Sequence, residues 1–204
     1  MAKTTRRLLL PPALGAFTYI WEPRPPDPKD GPDKKPKYGI TLLWKKENGK
    51  APAALLELQT AIVETARSAF GQDKEGKPVD VVQKLKAKTL HNPFYDGDVE
   101  KPEDKTFAGH VYINASSEAQ PGIVDAKVQR IISREEAYAG CTFRATVAIY
   151  SFEAKGNKGV AIGLNNLQVV AKGPRMDGRK SAEEDFGSFK EQEPAPAAGA
   201  DSLL

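Results

Sequence analysis

Residues 139–170 read AGCTFRATVAIYSFEAKGNKGVAIGLNNLQVV, and this stretch decides the fold. Two runs rich in β-branched and aromatic residues flank a short turn of Gly, Asn and Lys, a pattern typical of a β-hairpin. Successive side chains of a strand point to opposite faces. One face of the first run therefore holds the predicted core residues Cys141, Phe143, Ala145, Val147 and Ile149.

The opposite face of the same run predicts a surface for single-stranded nucleic acid. It carries Arg144, Tyr150 and Phe152 among hydroxyl groups. Bases stack on aromatic rings while cations neutralise the phosphates, so these residue types suit such a ligand. Lys155 and Lys158 in the turn add positive charge beside this face. The alternative interpretation is that Tyr150 and Phe152 cover a second, small core.

Residues 107–114 form a second predicted strand with the same division into two faces. Phe107, Val111 and Ile113 share one face. The other face again pairs an aromatic ring with polar groups, because it holds His110 and Tyr112. We therefore include His110 and Tyr112 in the predicted nucleic-acid-binding site.

The remaining patterns favour a mainly β protein with a five-stranded, OB-like antiparallel barrel. Strand patterns recur at short spacing, including 15–21 and 37–46, and no strand–helix–strand unit is repeated. A helical insertion is predicted at about 52–88, and an open α+β sheet is the alternative architecture. The predicted organisation is a flexible N-terminus over 1–14, an OB-fold domain over 15–174 and a disordered, Ala/Pro-rich tail over 175–204.

The charge is distributed unevenly along the 204 residues. The whole chain has a formal net charge of +3, whereas residues 175–204 hold four Lys or Arg and seven Asp or Glu. The body is therefore more basic than the total suggests, and the tail is acidic. A basic body with an acidic tail is typical of proteins that bind polyanions.

Other features of the composition narrow the class of protein. Cys141 is the only cysteine, which excludes an internal disulfide and fits a reducing compartment. His91 and His110 are the only histidines, so we expect no multi-histidine metal site and no cofactor. Pro11 and Pro12 interrupt the first apolar run, and no stretch approaches the length of a membrane span. We expect a cytoplasmic protein that has no contact with a membrane.

Asp96 and Asp98 provide an alternative, enzymatic hypothesis. With nearby His91 they suggest a metal site for phosphodiester hydrolysis, because hard cations bind carboxylates. An Asp-Gly dipeptide is also an ordinary turn, and no further carboxylates follow at a recognisable spacing. A metal-dependent nuclease is therefore kept as the second hypothesis.

Several motifs together resemble a bacteriophage family of single-stranded DNA-binding proteins. They occur in the same order along residues 15–186, and the last two are the most specific. The motifs are PKY at 36–38, DGD at 96–98 followed by EKP at 100–102, FAGHVYINA at 107–115, PGIVD at 121–125, YAGC at 138–141 and NKGVAIGLNN at 157–166.

The resemblance implies an OB-fold body without enzymatic activity. It also implies sequence-tolerant binding of single-stranded DNA during phage replication, recombination or repair in the infected bacterial cell. Acidic tails of such phage proteins contact replication or recombination proteins and compete with DNA. The matching tail residues here are Glu183, Glu184, Asp185, Phe186 and Phe189. A protein-interaction module that acts through this tail is a further alternative, and a homo-oligomer stays open.

Overall fold

The computed structural model describes residues 6–26, 34–73, 75–154 and 156–176. The described strands are β1 (Arg6–Leu9), β2 (Ala13–Arg24), β3 (Lys37–Lys45), β4 (Phe94–Asp96), β5 (His110–Ser117), β6 (Gly122–Val124), β7 (Thr142–Ala154) and β8 (Asn157–Ala171). The helices are α1 (Leu56–Phe70), which follows a 3₁₀ turn at Ala53–Leu55, α2 (Val81–Lys86) and α3 (Gly97–Glu100). No helix in these described ranges is both long enough and apolar enough to cross a membrane.

Five of the strands form a closed ring. Strands β7, β2, β3, β5 and β8 pair in that order, and β8 pairs again with β7. The contact of β5 with β8 is short and parallel, at Ser116 and Gly163, while the other ring pairings are antiparallel. The predicted mainly β, five-stranded OB-like architecture with an inserted helix is confirmed, although the ring is not a regular antiparallel barrel.

Strands β7 and β8 form the predicted hairpin. They pair from Thr142 and Ala171 down to Ala154 and Asn157. The predicted core residues of β7 are confirmed, since each is at most 1% exposed: Cys141, Phe143, Ala145, Val147 and Ile149. The opposite face of β7 is half-buried as far as Phe152. The alternation read from the sequence therefore correctly separates the core face of this strand from its outer face.

Helix α1 packs on the hairpin and on β1. Its buried residues Leu58, Ile62 and Ala66 recur at three- and four-residue spacing and join the main core. Alternate residues of the ring strands meet in the same core, including Leu42 of β3 and Ile113 of β5. The side chains on the other faces of these strands therefore form the outer surface of the ring.

The prediction of a flexible N-terminus over 1–14 is wrong for the part of it that the structure describes. Residues of β1 pair antiparallel with β7, from Arg6 with Ile149 to Leu9 with Thr146. Leu8 and Leu10 are 8% and 2% exposed in the main core. Burial of these apolar side chains offsets the entropy lost on ordering the segment. Residues 6–10 thus contribute to the folded domain.

Candidate nucleic-acid interface

A continuous row of aromatic rings crosses the outer surface of the ring, and we call it the aromatic path. Consecutive ring centroids lie 4.6–6.3 Å apart, within the range for aromatic contacts. In spatial order the path consists of Phe152, His91, Tyr95, Tyr112, Phe107 and Phe17. It therefore connects the tip of the β7–β8 hairpin with β2 on the far side of β5.

An irregularity in β2 turns Phe17 onto this surface. The pairing with β3 shifts between Ala16 and Tyr19, and Phe17 has a positive φ of 49°. In a regular strand, neighbours point to opposite faces. Here Ala16 packs in a buried cluster with Phe107, and the Phe17 ring stacks on the same Phe107 ring. As a result Phe17 is 48% exposed, with one ring face open to a ligand.

Tyr112 supports the path from below. It is only 4% exposed and belongs to the small cluster of Ala16, Leu43 and Phe107, against which Tyr95 packs. Burial, with a contribution from Tyr95, raises the pKa of the Tyr112 phenol. The prediction that Tyr112 presents an open ring for stacking is therefore wrong, because Tyr95 covers it. Tyr95 is the half-buried ring that faces outward at this point.

His91 joins the aromatic path to the tip of the hairpin. Its Nδ1 lies 2.7 Å from the Val160 carbonyl oxygen, and its Nε2 lies 3.1 Å from the Tyr95 hydroxyl. The His91 backbone N–H donates to the Lys158 carbonyl, and the Val160 N–H donates to the His91 carbonyl. A Cβ at Gly159 would lie 2.4 Å from the His91 nitrogen, so this close approach requires glycine. These contacts fix the rings of His91, Tyr95 and Phe152 relative to one another.

Basic grooves lie at both ends of the path. The groove beside β2 contains Phe17 and Tyr19, and it is lined by the cationic side chains of Arg24, Lys34, Lys35 and Lys37. The Arg24 guanidinium carbon lies 5.7 Å from the centre of the Tyr19 ring. The groove beside the hairpin contains His91, Tyr95 and Phe152. Its charged lining consists of Lys86, Lys88 and Lys158 with Asp96 and Glu100, and Lys88 forms an ion pair with Glu100 at 2.6 Å. Rings and cations therefore occur together at the two ends of the path, whereas the central rings of Phe107 and Tyr112 are buried.

The structure brings only some of the predicted site residues together. Phe152 and Lys158 line the hairpin groove. Arg144 and Tyr150 lie on the outer face of β7, at positions paired with Gln168 and Ala161 of β8. His110 is half-buried, with its Nδ1 2.7 Å from the Ala108 carbonyl oxygen.

Other predictions lie outside the described residues. Lys155 is one of them. The tail residues are the others: Glu183, Glu184, Asp185, Phe186 and Phe189.

Sequence reasoning missed the β2 end of the interface. Phe17 and Tyr19 alternate with smaller residues along β2, and that alternation was the available signal for an aromatic face. His91 and Tyr95 carried no such signal, because His91 lies in a loop and Tyr95 lies in a strand of only three residues. Their role depends on contacts with Tyr112 and Phe152, which are distant in sequence.

Asp96 and Asp98 bind a lysine side chain. The Lys46 ammonium donates to Asp96 Oδ1 at 2.5 Å and to Asp98 Oδ2 at 2.7 Å. Within the described ranges, no cluster of three or more His, Cys, Asp or Glu residues could hold a metal ion. The nuclease hypothesis therefore finds no support in this part of the molecule.

Comparison with known proteins identifies the family. The family described as Enterobacter phage Enc34, ssDNA-binding protein, matches residues 14–196. Protein p50 of Acyrthosiphon pisum secondary endosymbiont phage 1 is 29% identical over 100 residues, which cover 48% of this chain and 54% of p50. The match to that curated relative thus spans about half of its length.

Two solved structures share the fold. The single-stranded DNA-binding protein from bacteriophage Enc34, in complex with ssDNA, superposes with a TM-score of 0.65 at 21% identity, covering 83% of this chain and 89% of that one. The single-stranded DNA-binding protein gp2.5 encoded by bacteriophage T7 superposes with a TM-score of 0.54 at 11% identity, covering 86% and 98%. Because the family match extends over most of the sequence, the chain belongs to the family of the phage Enc34 ssDNA-binding protein.

Proposed function

We propose that this protein binds single-stranded DNA, without strong sequence preference, during phage DNA replication, recombination or repair in the cytoplasm of the infected cell. Membership of the phage Enc34 family supports this function. The observation that carries it is the aromatic path with basic grooves at both ends. Every base has an aromatic face, so such a surface tolerates any sequence.

The proposed role is non-enzymatic. Bases stack on the exposed rings of Phe17 and Tyr19 and on the half-buried rings of Tyr95 and Phe152, each contributing about 1–3 kcal/mol. Arg24 and the lysines of the two grooves neutralise phosphates, and each such contact adds about −0.7 to the slope of log affinity against log salt for a single strand. Stacking and charge are therefore separable, because removal of a ring lowers affinity without changing the slope.

The acidic tail is proposed to bind partner proteins. Its support is the sequence itself, since an acidic cluster precedes two aromatic residues in an otherwise Ala/Pro-rich segment. Phage replication or recombination proteins are the expected partners. The same negative charge would compete with DNA for the basic grooves.

The proposed function is tested by fluorescence anisotropy of a labelled oligothymidine at two salt concentrations, with duplex DNA of equal length as competitor. We expect salt-sensitive binding that the duplex displaces poorly, because base faces are not available within a stacked duplex. Absence of binding, or equal competition by duplex, would contradict the proposal.

The variant Phe17→Ala tests the aromatic path in the same assay. We expect affinity to fall about fivefold to a hundredfold, corresponding to one lost stacking contact, with an unchanged salt slope. Leu56→Ala is the matched control, because Leu56 is a 67% exposed apolar residue at the start of α1. If Phe17→Ala bound as tightly as the Leu56→Ala control, Phe17 would have no role in the interface.

A further inference from the structure

A small cleft on the outer face of β1, β7 and β8 lies apart from the aromatic path, and we call it the polar notch. It is lined by Arg7, Leu8, Leu9, Thr146, Asn165 and Asn166. Its volume of about 280 Å³ exceeds the space that a single water molecule occupies in the liquid, about 30 Å³. Asn165 and Asn166 end one of the two most specific sequence motifs, yet neither belongs to the aromatic path.

The pairing of β1 places the Arg7 side chain at this notch. Arg6 bonds to Glu64 of α1 and Leu8 is buried in the core, so these two residues lie on the face of β1 that is turned toward α1. Arg7 alternates with them, and it pairs with Ala148 on the outer face of β7. Among the residues that the structure describes, no carboxylate forms an ion pair with Arg7. Its charge is therefore available to an anionic ligand.

A β-bulge supplies the other polar groups. Thr146 pairs with Asn166 and Val147 pairs with Leu164, so Asn165 is the extra residue in β8. The Thr146 Oγ1 and the Asn165 Nδ2 are buried atoms without a hydrogen-bond partner in the described chain. Buried polar groups rarely lack a partner, and bulges often direct side chains at binding sites. These two atoms therefore point to a ligand at the notch.

The chemistry of the notch selects an anion. A guanidinium, an amide N–H group and a hydroxyl can all donate hydrogen bonds to phosphate oxygens. The outer face of β7 carries no acidic residue between Thr142 and Phe152. The same face leads from Thr146 past Tyr150 to Phe152, which belongs to the aromatic path. Six residues of strand separate Thr146 from Phe152, which is about 20 Å.

We infer that the polar notch binds a backbone phosphate of the same single-stranded DNA, so that the binding site extends along β7 from Phe152 to Arg7, Thr146 and Asn165. This inference rests on the proposed function. It assigns a role to Tyr150, which lies between Thr146 and Phe152 on the outer face of β7. Arg144 lies on the same face, two residues beyond Thr146 at the far end of the extended site. A DNA segment that occupies both the notch and the aromatic path must be longer than one that occupies the path alone.

The experiment compares oligothymidines of about 6 and about 16 nucleotides, which span the range of site sizes for one OB fold. Thr146→Val replaces the unpartnered hydroxyl with a methyl group of similar size. We expect the variant to keep or raise its melting temperature, because no intramolecular hydrogen bond is lost. Its affinity for the long oligonucleotide should fall about fivefold, which corresponds to one lost hydrogen bond, while its affinity for the short one stays unchanged.

Two charge variants give an independent measurement. Arg7→Ala should make the salt slope for the long oligonucleotide shallower by about 0.7, the contribution of one phosphate contact. Asn165→Asp places a carboxylate in the notch and should weaken binding of the long oligonucleotide more strongly than Thr146→Val. The matched control is Gln72→Glu, which adds the same charge at an exposed position beyond α1.

The outcomes separate this inference from the proposed function. If the parent protein bound neither oligonucleotide, the proposed function itself would fail. If the parent bound both and all three notch variants matched the Gln72→Glu control, the notch would not contact DNA. A Thr146→Val variant that melted at lower temperature with unchanged affinity would show that the hydroxyl has a structural role and does not bind DNA. Equal losses of affinity for the short and the long oligonucleotide would contradict a binding site remote from the aromatic path.

Discussion

Lys46 forms a structural contact with Asp96 and Asp98, the two carboxylates that the sequence suggested as metal ligands. Its side chain is 10% exposed, and both carboxylates accept hydrogen bonds from it. The hydrogen bond that Lys46 donates to Asp96 raises the pKa of its ammonium most, and the hydrogen bond to Asp98 raises it further. The Gly109 backbone N–H and the Lys46 ammonium together lower the pKa of Asp98. The contact joins β3 to the segment that carries Tyr95.

The variant Lys46→Met should lower the melting temperature at pH 7 by about 2–4 °C, the shift expected for a loss near 1 kcal/mol in a domain of this size. In the parent, Asp98 stabilises the fold above its ordinary pKa near 3.9, and this contribution is lost as the pH falls through the lowered pKa. Without Lys46 the lowering is smaller, so the variant should lose less stability between about pH 5 and pH 3. Thermal denaturation across this pH range measures both effects.

Lys45→Met is the matched control for that experiment. Lys45 is exposed at the end of β3, and no carboxylate in the described ranges forms an ion pair with it. We expect its melting temperature and acid profile to follow those of the parent. Equal behaviour of the two variants would show that the contact with Asp96 and Asp98 does not stabilise the fold.

At the scale of an element, β1 is the strand that sequence patterns failed to predict. Its four residues are two arginines followed by two leucines, so they show no alternation of polar and apolar side chains that would predict a strand. The pairing partner is β7, almost the whole domain away in sequence, so no local signal announces it. Burial of Leu8 and Leu10 against that partner is what orders the segment.

The contribution of β1 and the residue that follows it is measured by Leu10→Ala. Leu10 is 2% exposed, and truncation of a fully buried leucine costs about 2–5 kcal/mol. Leu9→Ala is the matched control, because Leu9 is 54% exposed and such surface changes usually stay within about 0.5 kcal/mol. Urea denaturation gives both values. Similar unfolding free energies for the two variants would mean that β1 is not held in the core.

At the scale of the whole molecule, charge is divided between the folded body and the chain after it. Residues 177–204 hold three Lys or Arg and seven Asp or Glu, so their removal changes the net charge from +3 to +7. Electrostatic attraction between a polyanion and the remaining body increases accordingly. The effect should decrease at high salt, where exposed charges are screened.

A protein truncated after Met176 should therefore bind oligothymidine several-fold more tightly at low salt, with a steeper salt dependence than the full chain. Met176 is a suitable end point, because its N–H still donates to the Ala139 carbonyl. The truncated protein should also lose co-elution with replication proteins of the same phage in size-exclusion chromatography. Unchanged affinity at low salt would argue against competition between the tail and DNA, and unchanged co-elution would place the partner surface elsewhere.

The sequence by itself determined the elements whose signals are local. Alternation along β7, the Gly-rich turn and the spacing of Leu58, Ile62 and Ala66 depend only on near neighbours, so the hairpin, its core face and α1 could be predicted. The family resemblance in the ordered motifs also resides in the sequence, and the match over residues 14–196 agrees with it. The same local pattern predicts Phe152 and Lys158 as binding residues, and the structure places both in the groove beside the hairpin.

Only the tertiary structure decided which rings are open and which are covered. Tyr112 and Tyr95 are both aromatic residues on strands, yet Tyr112 is only 4% exposed because Leu43, Tyr95 and Phe107 surround it, whereas Tyr95 is half-buried. Phe17 reaches the same surface through a bulge and a stacking contact with Phe107, ninety residues away. Exposure depends on what packs above a side chain, and those partners are joined by pairings between distant segments. Local pattern therefore predicts the face of a strand, whereas the assembled sheet determines the surface that meets a ligand.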